Sequence, residues 1–109
     1  MFLDPVEDAQ RALASLVVEE TVEGERTVLD NSCLMFISNL WSGSRHDSSK
    51  VPVLLVGSLG GALKTGRVLD YRDKGDDNRK LCSLYLSLMD RMDIKLDRFG
   101  DAESRLAGI

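Results

Sequence analysis

Two uninterrupted apolar runs stand out along the chain, Cys33-Leu34-Met35-Phe36-Ile37 and Pro52-Val53-Leu54-Leu55-Val56. Runs of this length, bounded by turn formers, suit strands covered on both faces, as in the middle of a parallel sheet. Asp30-Asn31-Ser32 precedes the first run and Ser38-Asn39 follows it. Pro52 is acceptable at a strand's start, because little ladder pairing is lost there. Between the runs, Trp41-Ser42-Gly43-Ser44-Arg45-His46-Asp47-Ser48-Ser49-Lys50 is polar and turn-rich, a loop. Gly57-Ser58-Leu59-Gly60-Gly61 breaks the second strand. Residues 62–71 read as a short extended pair around Thr65-Gly66, and residues 72–78 as a second polar connection.

Helical spacing appears at both ends of the chain. Asp4 caps, Pro5 suits a first helical position, and Glu7 follows the cap by three residues in a capping-box arrangement. Val6, Ala9, Leu13, Leu16 and Val17 then share one face, which predicts a helix over about 5–18. Glu19 and Glu20 oppose the dipole at its end, and Glu23-Gly24-Glu25 reads as a connection. Near the other end, Leu81, Leu84, Tyr85, Leu88, Met89 and Met92 form an apolar stripe that predicts a helix over 79–92. Asp77 or Asn78 is its expected cap, and Met89 and Met92 read as flexible core filler. Gly100-Asp101 turns the chain into a polar tail.

The order helix, strand, loop, strand, extended pair, helix is an α/β pattern in one domain over residues 1–109. With 109 residues, area scaling gives a folded surface of roughly 6,000 Å² against roughly 17,500 Å² unfolded, enough for a modest core. Two buried strands nevertheless make a poor sheet by themselves, so the pattern suggests a piece of something larger. The apolar runs are too short to span a bilayer, and the Met1-Phe2-Leu3-Asp4 start lacks a basic n-region, so neither a membrane partner nor a secretory signal is expected.

Charge and chemistry narrow the reading further. The net charge is −4, and residues 1–30 alone carry −6. Residues 64–80 carry six bases among four acids, a weak version of a nucleic-acid face whose plainer reading is a solvated loop. No nucleic-acid partner is expected. Gly60-Gly61 followed by Lys64-Thr65 resembles a phosphate loop only superficially, since Ala62 and Leu63 interrupt the contiguous Gly-Lys-Thr that the geometry requires. Cys33 and Cys82 lack neighbouring cations that would lower a thiol pKa and read as structural. Asp76-Asp77 reads as a cap rather than a metal pair. A lone histidine supports no Ser-His-Asp set. His46 still stands out, because it follows the first strand's carboxyl end, where open α/β sheets place ligands, and imidazole is a common metal donor. A solvated loop histidine is the plainer reading of the same spacing.

From residue 27 onward the chain resembles the end of the bacterial domain-of-unknown-function family 1552. The likeness is carried by Thr27-Val28-Leu29-Asp30-Asn31-Ser32, by Arg45-His46-Asp47, and by Val51-Pro52-Val53-Leu54-Leu55-Val56-Gly57. It continues through Gly60-Gly61-Ala62-Leu63-Lys64-Thr65-Gly66-Arg67, then Leu84-Tyr85-Leu86-Ser87-Leu88-Met89-Asp90-Arg91-Met92 and Phe99-Gly100-Asp101. Members are several times longer, are often exported, and look related to the alkaline phosphatase and sulfatase superfamily. The likeness covers residues 27–109, which are family-like, while residues 1–26 read from their own spacing as an N-terminal helix and linker. It implies the C-terminal fragment of a three-layer α/β/α sandwich with a short, mostly parallel sheet. It also implies that His46, just before Val51-Pro52-Val53, ligates a divalent metal. The chain departs from the superfamily in having Ser38-Asn39-Leu40 where an Asp-His metal pair is expected, and no upstream nucleophile site. One histidine cannot clamp both the attacking and leaving oxygens of a two-metal transfer.

The expected protein is therefore a fragment that is not catalytic by itself. The alternatives are a small non-catalytic α/β interaction module and a metal-dependent ester hydrolase completed by a partner chain. Its expected partners are a second copy or a missing N-terminal portion; the compartment is open. Residues 33–37 and 53–56 should lie parallel under the 79–92 helix, burying Leu84, Leu88 and Met92.

Overall fold

The computed structural model describes residues 21–109, which divide into two units between Thr65 and Gly66. The expected helix over about 5–18 lies outside the described residues. In the first unit, β1 (Val22–Glu23) and β2 (Arg26–Thr27) form a short antiparallel hairpin. The turn after it is closed reciprocally: Thr27 N–H donates to Asp30 Oδ2 at 3.0 Å, and Asp30 N–H donates to Thr27 Oγ1 at 3.1 Å. This pairing satisfies two backbone donors that a tight turn leaves open, and holds Asp30 below the usual carboxylate range.

The two apolar runs become β3 (Leu34–Ile37) and β4 (Val53–Val56). They lie side by side but run antiparallel, with Leu34 opposite Val56 and Ile37 opposite Val53. The expected parallel sheet and three-layer α/β/α sandwich are therefore overturned. The described residues contain two antiparallel two-stranded sheets and one α-helix. The physical reason lies in the connection. Parallel neighbours need a crossover, usually a helix. Residues 38–52, which include five serines, instead fold back on themselves through a bridge between Ser42 and Asp47. Trp41 N–H donates to the Asp47 carbonyl at 2.7 Å, and Asp47 N–H donates to that of Ser42 at 3.1 Å.

After β4 the chain turns sharply against residues 29–32. Leu59 N–H reaches the Ser32 carbonyl at 3.0 Å, while Gly60 N–H and Ser58 Oγ–H reach the Asp30 carbonyl at 2.9 and 2.8 Å. Gly57 makes this approach feasible. Its φ is +97°, and a Cβ there would stand 2.3 Å from the Ser32 carbonyl oxygen. The expected extended pair over 62–71 does not form: Leu63 N–H turns back to the Ser58 carbonyl at 2.9 Å, and no strand occurs in that stretch.

In the second unit, α1 (Leu81–Arg91) provides the core. Ser83, Leu84, Leu86, Ser87 and Leu88 are buried, with Leu86 at 0% exposure. The expected Asp77 or Asn78 cap is not used. Asp76–Asn78 form a 3-10 turn of their own, and Lys80 occupies the cap position without a side-chain cap bond. The far end of α1 closes with Asp93 in the left-handed region at φ 63°, where glycine is the usual occupant. Asp93 N–H donates to the Asp90 carbonyl at 3.1 Å and Ile94 N–H to that of Met89 at 2.9 Å, which satisfies those two carbonyls of the last turn. The chain leaves the helix axis here. Met92 is consequently 51% exposed rather than buried as its spacing suggests. Phe99 then packs edge-on against Tyr85 at 6.0 Å, and a bridge from Phe99 to Ala102 closes the following turn. No helix among the described residues is long and apolar enough to cross a membrane.

Candidate functional site

His46 sits at the tip of the loop between β3 and β4, exposed, in the left-handed region at φ 49°. An antiparallel hairpin loop is not the carboxyl edge of an open parallel sheet, so the topological argument for a ligand there lapses. Neighbouring Asp47 is engaged by Ser49, whose N–H and Oγ–H both donate to Asp47 Oδ1, at 2.9 and 2.5 Å. Those bonds hold its carboxyl below the usual range. Among the described residues no group of three or more His, Cys, Asp or Glu side chains could hold a metal ion. A metal at His46 would need its other ligands from elsewhere.

The remaining chemical candidates are engaged structurally. Arg72 grips Asp70 through Nε and Nη2, which pulls the Asp70 carboxyl down to about 2. Arg79 pairs with Asp76 and also donates to the Arg72 carbonyl, and Lys80 pairs with Asp77 at 3.3 Å. Arg72, Arg79 and Lys80 thus each pair with an acid two or three positions away. Burial pushes the Cys33 thiol up, away from a reactive thiolate. The Gly60 and Gly61 N–H groups are spent on carbonyls of the Asp30 turn and of Ser58. They are not aimed at a phosphate.

What the first unit does present is apolar surface on the β3–β4 hairpin. Directly opposed residues of an antiparallel pair project to the same side. Leu34, Val56, Phe36 and Leu54 therefore share one face, and Met35, Leu55, Ile37 and Val53 share the other. Antiparallel hairpins ordinarily pair an apolar face with a polar one. Here both are apolar. At the loop end, Ile37 and Val53 are each 36% exposed, and Val51 and Trp41 are exposed beside them in sequence. Lys50 places its ammonium 5.6 Å from the centre of the Trp41 ring, leaving the aromatic side chain half in solvent. In the sequence this patch is marked by the apolar run resuming at Val51, two positions before Val53 on the same alternation.

Compared with known family descriptions, curated proteins and solved structures, the chain matches none.

Proposed function

We propose that the chain is a non-catalytic interaction module that docks through the loop end of the β3–β4 hairpin onto an apolar protein surface. The occupant we assign is the remaining part of a longer protein of the family-1552 kind, as the residue likeness from Thr27 onward suggests. The observation that carries the reading is the Ile37–Val53 pair, apolar and 36% exposed on a hairpin with no polar face. Exposed apolar side chains mark association sites where they adjoin into a patch. A hairpin of two four-residue strands is also marginal without further cover. Burial raises the Cys33 thiol, which disfavours a thiolate nucleophile at that position.

Two measurements test this together. An anilinonaphthalene sulfonate dye should brighten on the isolated chain and lose most of that signal with Val53→Lys. Phosphate and sulfate esters should stay unhydrolysed with zinc, manganese, calcium or magnesium present. Metal-dependent turnover lost in His46→Ala would overturn the non-catalytic reading.

A further inference from the structure

β3 and β4 make a sheet of two strands, so each strand has one paired flank and one open flank. Ser38 N–H donates to the Pro52 carbonyl at 3.4 Å, which makes residues 38 and 52 a bonded pair of the ladder. Bonded and non-bonded pairs alternate along an antiparallel ladder. In the observed register Phe36–Leu54 and Leu34–Val56 are therefore bonded inward. Ile37–Val53 and Met35–Leu55 instead turn their N–H and C=O groups outward. No hydrogen bond among the described residues engages the outward groups of Val53 or Leu55.

Sheet edges are ordinarily guarded by charge, by proline or by a bulge. The open flank of β4 has no such guard. No charged residue occurs from Val51 to Leu63. Pro52 belongs to a bonded pair, so its missing N–H faces β3 and leaves the outer flank unobstructed. Val51 and Val53 stand 40% and 36% exposed along that flank. The flank of β3 is less open. Met35 is half-buried, and the chain bends just past Ile37, where Leu40 N–H donates to Ser38 Oγ at 3.2 Å.

We propose that the open flank of β4 pairs antiparallel with β4 of a second copy of this chain, about a two-fold axis at Leu54. Two two-stranded sheets then join into one of four strands, in the order β3–β4–β4–β3. Val53 faces Leu55 of the other copy, and Leu55 its Val53, so that every outward N–H in these pairs meets a C=O. A second copy is the occupant because this edge is its own complement. No like charges meet across the axis, since the strand carries none. Pro52 falls opposite Val56 of the other copy at a non-bonded position, where its missing N–H forfeits nothing. Leu54 meets Leu54, which extends the apolar face of Phe36 and Leu54 across both copies. A two-stranded hairpin is marginal in water, and the added strands supply the cover it lacks. The pairing uses the backbone of β4 rather than the Ile37–Val53 side chains, and stands apart from the docking proposed for the loop end.

Amide hydrogen exchange on the full chain, dilute and concentrated, tests the edge. The Leu54 and Val56 amides, bonded to β3, should be protected at both concentrations. The Val53 and Leu55 amides should exchange freely in the dilute sample and slow at least about tenfold in the concentrated one. In a mixture of isotope-labelled and unlabelled chains, the Leu54 Hα should show a nuclear Overhauser contact to the Leu54 Hα of the other copy. Association that leaves Val53 and Leu55 exchanging as in the dilute sample would overturn the edge pairing while leaving the loop-end docking standing. Concentration-dependent protection at Met35 and Ile37 instead would overturn the choice of β4, and interchain contacts centred on another residue would overturn the register.

Discussion

Ile37 stands opposite Val53 across the antiparallel β3–β4 ladder, and each keeps 36% of its surface exposed. The pair sits where the ladder meets the loop, with Ser38 N–H carrying the pairing one step further to the Pro52 carbonyl at 3.4 Å. This ordered apolar pair at the hairpin's loop end is the surface through which docking is proposed. That single relationship links the strand-forming runs of the sequence to the proposed role.

The turn that follows β4 depends on Gly57. Gly57→Ala would put a methyl against the Ser32 and Leu29 carbonyls, at 2.3 and 2.7 Å, in backbone that L residues rarely adopt. Backbone cannot step aside as a flexible side chain can, so the expected loss is about 2 kcal/mol or more by denaturant titration.

Asp93 holds a position that suits glycine. A non-glycine residue in the left-handed region costs roughly 1–2 kcal/mol, part of which glycine returns through its greater unfolded-state entropy. Asp93→Gly should therefore stabilise the chain by about 0.5–1 kcal/mol in the same titration, without altering the helix content read by circular dichroism.

Leu86 is the most completely buried large side chain, at 0% exposure. Leu86→Ala should cost about 2–5 kcal/mol through lost transfer energy and the cavity left behind. Val68→Ala, at a fully solvated position, should be neutral in the same denaturation series.

Acid should weaken the second unit through its carboxylates. Hydrogen bonding from Arg105, with Lys95 adding to it, holds Asp90 below its ordinary value, and Arg72 does the same to Asp70 more strongly. A carboxyl depressed in the folded state binds its proton more readily when unfolded. Its stabilisation is thus present above the ordinary carboxylate pKa of about 4 and is lost as pH falls through the lower folded value. Asp90→Asn should lower stability near neutral pH and converge with the parent chain as acid protonates that carboxyl in the folded state, seen in melts across the acid range.

Element positions and the adjacency of the two apolar strands were legible in the sequence, and the strands' relative direction was not. The runs at 33–37 and 52–56 contain β3 and β4, and the stripe over 79–92 contains α1. Four apolar residues in a row carry no arrow, however. A hairpin apolar on both faces is indistinguishable from the middle of a parallel sheet by composition, and the 38–52 loop's lack of helical periodicity was the available clue. The wide burial of α1 was hidden for a different reason: Ser83 and Ser87 are buried by backbone contacts from residues 105–109, which hydrophobic periodicity does not register. Met92 followed the stripe but lies where Asp93 redirects the chain. His46 was placed in the right loop, while the metal implied by resemblance has no further ligand cluster among the described residues.

The central claim, that the hairpin's loop end is an association surface, is tested most directly by sedimentation velocity across a wide dilution series. Without its assigned partner the patch meets only copies of itself, so the parent chain should associate at high concentration and dissociate on dilution. Val53→Lys should sediment as a monomer throughout, with an unchanged circular dichroism spectrum. A parent chain that stays monomeric at every concentration, or a Val53→Lys chain that associates as the parent does, would contradict the account.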